Sequence, residues 1–440
     1  MNENCLFQKI TVVIPDGIGQ TKVLSQVWVA VKDGIIAYVG ESEQEAKAIY
    51  DGIRFVLYDG QHKIMLPAMA NTHGHVAMTL MRNQADDCNL HEWLFDHIFP
   101  RETRLNPEVV HTGTLLGLAE MIRGGTGAAA DMYYYSDSVA QAALETGFRL
   151  NFCCDAKTTD PDGKVRINPV QLAEHLKNYQ QHPSGLLRVS LLVHSVYLYE
   201  AALYEELAAM AQDMNCAVQV HISETIEEVD ECLKKYGCRP PRQFEKFGFF
   251  KTPTIAAHCV HLDDEDRQIL ARYKVLAAHN PSSNLKLGSG IADVTRLLNA
   301  GVRVGLGTDG AASNNNLDMY REMRQASFIA KGVSGDSSIM PASLLINMAT
   351  QIGMEGLGFT GSGRIEAGCP ADIQIVDTNR PSMTPMGDPA SALVYSADAS
   401  CVESLMVNGQ WLMRKRELLT IDEEKVLYNA RRDSAYLNGN

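Results

Sequence analysis

The sequence predicts an α/β fold: a (β/α)8 TIM-type barrel with a small β-sandwich domain built from both chain ends. Three observations predict it. Through the middle of the 440-residue chain, eight short apolar runs alternate with helix-like stretches, the pattern of parallel βα units. Most of those runs end on a polar residue, above all His or Asp, and in a barrel such ends converge on one rim. The two chain ends read as β instead. Residues 1–66 and 365–440 are therefore expected to pack as one composite β-sandwich, which leaves 67–364 for the barrel.

Taken in order, residues 6–14 and 27–39 are strand-like, the second with the turn pair Asp33-Gly34 inside it. The first barrel strand is expected over 64–70, leading into Asn71-Thr72-His73. The next three span 127–132, 148–155 and 187–193, the last ending at His194. Residues 217–220 end at His221, 254–257 at His258, 275–278 at His279 and 302–307 at Thr308-Asp309. Residues 371–376 and a hairpin over 402–412, broken at Asn408-Gly409, return the chain to the β unit. Met210 and Met214, about one helical turn apart, read as helix packing. The Gly-rich residues 124–127 lack a Lys and precede a strand, so they are not a phosphate-binding loop.

Composition excludes several function classes. The formal net charge is −14 and no Lys/Arg cluster stands out, which argues against a nucleic-acid partner. Hydrophobic residues make up 45% and charged residues 21%, ordinary for a globular protein with a large core. The 10 Cys are scattered and form no Cys-x-x-Cys pair, so neither a disulfide scaffold nor a thiolate zinc site is expected. Residues 1–5 carry no basic side chain, and no apolar run approaches the roughly 18 residues of a membrane span. A cytoplasmic location without membrane attachment is the expectation. A homo-oligomer is compatible with such a barrel, but nothing in the sequence marks an interface.

The chemistry-bearing residues sit at the strand ends. His73 and His75 form a His-x-His pair, and in extended backbone residues i and i+2 project to the same side, so both imidazoles can grip one ion. His221 and Asp309 end the fifth and eighth strands. Either alone reads as a hydrogen-bonded structural residue or a helix cap. Together with His73 and His75 they supply three nitrogens and a carboxylate, a set that suits one divalent ion, zinc or a similar metal such as Fe²⁺ or Mn²⁺, with a position left for water. The fourth strand ends in His194 and not in Lys, so no bridging carbamate between two ions is available and a mononuclear site is expected.

Glu224, three residues after His221, reads either as a carboxylate favoured by a helix N-terminus or as the acid that protonates a ring nitrogen. His258 reads either as a satisfied core histidine or as a donor that steadies the attacking oxygen. For His279 a structural and a substrate-facing role weigh equally.

At this point the chain resembles the amidohydrolase superfamily, and within it the 5′-methylthioadenosine/S-adenosylhomocysteine deaminases. The matching stretches are residues 67–82 around His73-Gly74-His75, Trp93-Leu94 leading to Glu102, 221–224, 257–260, 279–287 and 307–318. The His-x-His pair and the His-to-Glu spacing are shared with the similar triazine hydrolases and guanine deaminases. The resemblance implies that His73, His75, His221 and Asp309 bind the metal, that Glu224 handles the ring nitrogen and that His258 assists the hydroxide. It also implies that Trp93, His194, Glu224 and Glu102 contact a small heterocyclic substrate, Glu102 through ribose hydroxyls. The reaction implied is hydrolytic release of ammonia from an adenosine-type nucleoside, with Asp309 as proton acceptor.

Two departures lie on the substrate side. Family members that hold the amino-acid carboxylate of S-adenosylhomocysteine use arginines after the third strand, whereas residues 151–157 contain none; Arg166 or Lys164 is the expected substitute. Around His194 the flanking prolines common in the family are missing. The competing readings are a triazine-type hydrolase or guanine-type deaminase with the same metal site, and a non-enzymatic scaffold. The scaffold is disfavoured because all four metal-ligand candidates are present.

Overall fold

The computed structural model describes residues 3–439, which form two sheets and the helices around them. One sheet has eight strands, all paired in parallel and in chain order: β1 (Met69–Asn71), β2 (Thr126–Asp131), β3 (Arg149–Cys154), β4 (Leu187–His194), β5 (Ala217–Ile222), β6 (Thr254–His258), β7 (Leu276–His279) and β8 (Arg303–Leu306). The ring closes between β8 and β1. Thr72 N–H donates to the Leu306 carbonyl at 2.8 Å, and Asp309 N–H to the His73 carbonyl at 3.0 Å. Asn71 and Thr308 add a reciprocal pair, the Asn71 amide donating to the Thr308 hydroxyl at 2.7 Å and accepting its N–H at 2.9 Å. β2 and β3 are buried along their whole length. Strands covered on both faces read as continuous apolar runs, which is why eight of them were legible.

The second sheet joins the chain ends. Its order is Glu417–Leu418, Gln410–Arg414, Val402–Val407, Ile373–Asp377, Lys63–Pro67, Cys5–Pro15, Thr21–Lys32 and Ile35–Gly40, with Val56–Asp59 also paired to Cys5–Pro15. Lys63–Pro67 is the seam: it runs parallel to Cys5–Pro15 and antiparallel to Ile373–Asp377. The sheet folds over on itself. Phe7 and Trp411 lie on strands four pairings apart, about 19 Å in a flat sheet, yet their rings meet at 6.3 Å. The two inner faces share one core, with Phe7, Val29 and Ile36 from one half and Ile373, Met406 and Trp411 from the other. This is the expected sandwich of both chain ends, and its hairpins turn at Asp33-Gly34 and Asn408-Gly409, all at positive φ.

Two elements differ from the sequence reading. The apolar run 64–70 is not one barrel strand. It is split at Pro67-Ala68: Lys63–Pro67 belongs to the composite sheet, and the barrel begins at Met69. Ala68 N–H donates to the Asp372 carbonyl and Met69 N–H to that of Gly125, both at 3.0 Å, so neighbouring residues bond in different sheets. Pro67, which has no N–H to give a ladder, is the one mark of the change of partner in a run that is otherwise apolar throughout. The tail is also not wholly β. Glu423–Leu437 is a helix, capped by Asp422 accepting from Lys425 N–H, and it lies on the barrel side through Ser434 Oγ to the Leu80 carbonyl at 2.7 Å and Glu423 paired with Arg123.

A buried ion pair locks the two sheets together. Arg149 on β3 donates to both carboxylate oxygens of Asp372, Nε to Oδ2 at 2.8 Å and an Nη to Oδ1 at 3.2 Å. Both side chains are nearly sealed from solvent, at 6% and 1% exposure. Removing one partner leaves a buried charge alone, so Asp372→Asn is expected to cost about 3–5 kcal/mol. The measurement is the urea midpoint of the variant against the parent; an unchanged midpoint would show that the pair does not brace the sheets.

Candidate active site

The C-terminal strand ends bring five predicted side chains into one cluster. His73 and His75 follow β1, with ring centroids 5.0 Å apart. His221 on β5 stands 5.0 Å from His73 and 5.5 Å from His75, ring to ring. Asp309, just past β8, places Oδ1 3.4 Å from His73 Nε2 and 3.3 Å from His75 Nε2. Ligand atoms of His73, His75 and His221 lie within 4.8 Å of one another, and so do those of His73, His258 and Asp309.

Hydrogen bonds aim the rings. His75 Nδ1 meets the Met132 carbonyl at 2.6 Å, and His221 Nδ1 that of His194 at 3.0 Å. A carbonyl can only accept, so Nδ1 carries the hydrogen in both rings and Nε2 presents its lone pair inward. His73 is fully buried, and neither ring nitrogen has a hydrogen-bond partner. Such an orphaned imidazole is costly in a protein interior unless something else bonds to it. Burial holds the His73 ring down to about 4 and His221 well below its ordinary value, so both are neutral. Asp309 goes the other way. Burial pushes its carboxyl up, but the imidazoles packed around it, His73 first and then His75 and His258, outweigh it and hold it well below the usual range. Its oxygens accept from Ser283 Oγ at 2.6 Å, Ser313 Oγ at 2.9 Å and Gly310 N–H at 2.8 Å. Three imidazole nitrogens and one carboxylate fit a divalent ion.

Beside this cluster Glu224 Oε2 lies 3.6 Å from His258 Nε2. Glu224 Oε1 accepts from Ser289 Oγ at 3.0 Å, and His258 Nδ1 donates to Asn284 Oδ1 at 2.8 Å. Burial raises the Glu224 carboxyl. Burial also pulls His258 down, but the Glu224 and Asp309 carboxylates win and its pKa is raised. His194, Ser223, His258 and Asp309 all sit at positive φ, between 52° and 72°. Non-glycine residues rarely adopt that conformation, and at these four positions the surrounding bonds hold the strain.

The cluster floors a pocket. Residues 90–102 form its helical wall, contributing Trp93, Phe99 and Glu102, and Tyr133, Tyr134 and His194 stand across from them. Burial raises the Glu102 carboxyl to about 7 and lowers the His194 ring to about 3. Glu102, Trp93, His194, Glu224, His258 and Asp309 thus all line one cavity. Arg166 does not reach it. It lies on the hairpin of Lys157–Thr159 and Val165–Ile167, its side chain 61% exposed, and its Nε donates to Asp160 Oδ2 at 2.8 Å. The basic residue that comes nearer is Lys157, in an adjoining chamber. His279 is buried at the end of β7 and held to about 4 by burial, outside the pocket lining.

The supporting bonds were not foreseen. Glu228 accepts the N–H groups of Ser223 and Glu224 at 2.9 and 2.8 Å and so fixes the turn that carries Glu224. Its signal was a second carboxylate four residues beyond Glu224, indistinguishable in sequence from a helix-start acid. Ser283 and Asn284 come from the short helix Pro281–Lys286 that directly follows His279-Asn280. A polar triplet after Pro at a strand end was visible, but not its targets on Asp309 and His258.

With this geometry in place, comparison with known proteins is informative. Residues 64–412 match the amidohydrolase family. A 5-methylthioadenosine/S-adenosylhomocysteine deaminase from Acetivibrio thermocellus is 42% identical over 410 residues, 93% of this chain and 94% of that protein. A 5′-deoxyadenosine deaminase from Methanothermobacter thermautotrophicus is 41% identical over 381 residues, 87% of this chain and 89% of its own length. Among solved structures, an adenosine deaminase from Xanthomonas campestris with bound zinc superposes with a TM-score of 0.91 at 31% identity, covering 100% of this chain and 99% of that one. The match runs along nearly the whole of this chain, with its barrel closed in chain order and its composite sheet from both ends, and the chain belongs to the amidohydrolase family.

Proposed function

We propose that this chain is a hydrolytic deaminase of adenosine-type nucleosides: water replaces the 6-amino group of the purine, and ammonia and the inosine-type product leave. The observation that carries this reading is the buried Glu224–His258 pair, 3.6 Å apart, set beside the His73, His75, His221 and Asp309 cluster in a pocket that Glu102 borders. The relatives' names point to the same substrate class. His73, His75, His221 and Asp309 would hold one divalent ion, zinc first, with Fe²⁺ and Mn²⁺ as alternatives that the same donors accept. When bound, the ion supplies a water whose pKa is lowered toward neutrality.

The remaining chemistry belongs to side chains. Glu224, with Oε1 held by Ser289, carries a proton at Oε2 and passes it to the ring nitrogen beside the amino-bearing carbon, which makes that carbon electrophilic. Asp309 takes a proton from the attacking water. His258, oriented by Asn284, donates from Nε2 to the oxygen that arrives at the carbon. Glu224, deprotonated by the first transfer, takes the proton of the hydroxyl now on that carbon, and Asp309 or Glu224 delivers one to the amine; as the C=O forms, the C–N bond breaks and ammonia departs. Trp93 and Phe99 keep bulk water from the ring, His194 steadies the substrate, and Glu102 accepts from ribose hydroxyls. Ten unpaired cysteines suit a reducing, cytoplasmic setting. Among the described residues no helix is long and apolar enough to cross a membrane.

The test is ammonia release from adenosine, 5′-methylthioadenosine, 5′-deoxyadenosine, S-adenosylhomocysteine, guanine and a simple triazine, run side by side. Turnover of the adenosines is expected; turnover confined to guanine or the triazine would overturn the reading. Glu102→Gln is expected to raise KM for nucleosides by about ten- to a hundredfold, the worth of one hydrogen bond to a charged group, with little change in kcat. Steady-state kinetics separates the two, and an unchanged KM would remove Glu102 from the ribose.

A further inference from the structure

The pocket over the histidine cluster does not end at Glu102. A second chamber adjoins it on the outer side, and Phe99, Glu102 and Tyr134 line both. With a purine over the cluster and its ribose at Glu102, whatever hangs on the 5′ carbon extends into this outer chamber.

The charges there are one-sided. Asp137 and Asp155 face a single cation, Lys157. Lys157 is sealed, its side chain 4% exposed, and an ammonium has three hydrogens to give. All three are committed: to the Asp155 carboxylate, to the Asp155 carbonyl at 2.9 Å and to the Leu192 carbonyl at 3.0 Å. Lys157 is therefore not free to receive a carboxylate. The helix Ser136–Thr146 starts at the chamber wall, but Asp137 in its first turn already supplies the anion that a helix N-terminus favours.

An independent observation points to the opposite charge. His175, 6% exposed, lines the same chamber. Its Nδ1 donates to the Gln171 carbonyl at 2.8 Å, which leaves Nε2 as the ring nitrogen open to other partners. That buried nitrogen has no hydrogen-bond partner and lies 3.6 Å from Asp137 Oδ1. Asp137 Oδ1 accepts from the Tyr179 hydroxyl at 2.6 Å and keeps its second oxygen open, so this corner of the chamber offers a carboxylate to N–H donors.

We propose that the outer chamber holds the 5′ substituent and selects tails that bear an ammonium group, or no charge, over tails that bear a carboxylate. Asp155 enforces the choice by keeping Lys157 occupied; Asp137, beside the buried His175 ring, accepts from the ammonium. This inference rests on the adenosine reading above.

The test compares kcat/KM for S-adenosylhomocysteine, for 5′-(3-aminopropylthio)-5′-deoxyadenosine, which differs only by lacking the carboxylate, and for 5′-methylthioadenosine. The aminopropyl compound is expected to exceed S-adenosylhomocysteine by about tenfold or more, the size of one unfavourable charge contact. Asp155→Asn, which loosens Lys157, is expected to narrow that gap several-fold. Both readouts are ratios between substrates on one preparation, so a loss of folded protein cancels. Turnover of none of the three, nor of adenosine or 5′-deoxyadenosine, would overturn the adenosine reading and this inference with it; turnover of adenosine or 5′-deoxyadenosine but of none of the three would overturn the inference alone. Turnover in which S-adenosylhomocysteine equals or exceeds the aminopropyl compound would overturn the inference alone, as would a gap that Asp155→Asn leaves unmoved.

Discussion

Glu224→Gln is expected to lower kcat on adenosine-type substrates by about 10²–10⁴, the contribution of a positioned acid–base group, while metal content per chain stays that of the parent. The substitution is confined by the surrounding bonds. Gln keeps the side-chain length and an oxygen for Ser289 Oγ, which now donates at 3.0 Å. Glu228 still holds the N–H groups of residues 223 and 224, so the turn does not depend on the carboxylate. What disappears is the exchangeable proton at Oε2 beside His258. Because the change falls on a proton-transfer step, kcat and kcat/KM are expected to fall together. Steady-state kinetics paired with elemental analysis measures both quantities. A variant turning over within a few-fold of the parent would remove Glu224 as the acid.

Asp309→Ala is expected to be at least as damaging, because one carboxylate serves two purposes. It sits 3.4 and 3.3 Å from the Nε2 atoms of His73 and His75, and it is the proton acceptor proposed for the attacking water. Its loss also leaves Ser283 Oγ and Ser313 Oγ without the oxygen they share at 2.6 and 2.9 Å. The expected result is a fall in turnover of about 10³ or more, beyond the middle of the range for an acid–base group alone, together with weaker retention of metal on dialysis. Added zinc is not expected to restore the rate, since the proton acceptor stays missing. Recovery of parental turnover with excess zinc would show that Asp309 acts as a ligand only.

The residues that set this chemistry were legible because a barrel separates its signals. Strands covered on both faces are written as apolar runs, so a His or Asp at the end of one stands out, and the topology brings those ends to one rim. His73, His75, His221, His258 and Asp309 were each readable in this way, and they cluster as that logic requires. Glu224 needed only its spacing from His221. The illegible features depend on contacts between distant segments. Within residues 64–70 only Pro67, with no N–H to give a ladder, marks where the chain leaves one sheet for the other, and the apolar residues on either side are buried alike. Arg166 was chosen for its charge, but Asp160, six residues earlier, pairs with it on an exposed hairpin. Lys157 was passed over, although burial and three acceptors make it the better-defined cation near the pocket. The bonds that aim His258, Asp309 and Glu224 come from Asn284, Ser283, Ser313 and Glu228, whose residue types also fill ordinary helix caps and first turns.

Anomalous X-ray diffraction from crystals of the purified protein, at the absorption edge of the metal that elemental analysis finds, tests the four-residue metal centre directly. One peak per chain is expected within bonding distance of His73, His75, His221 and Asp309, at separations of about 2.0–2.2 Å. A peak at any other set of side chains, or full deaminase activity in protein with no peak among these four, would contradict it.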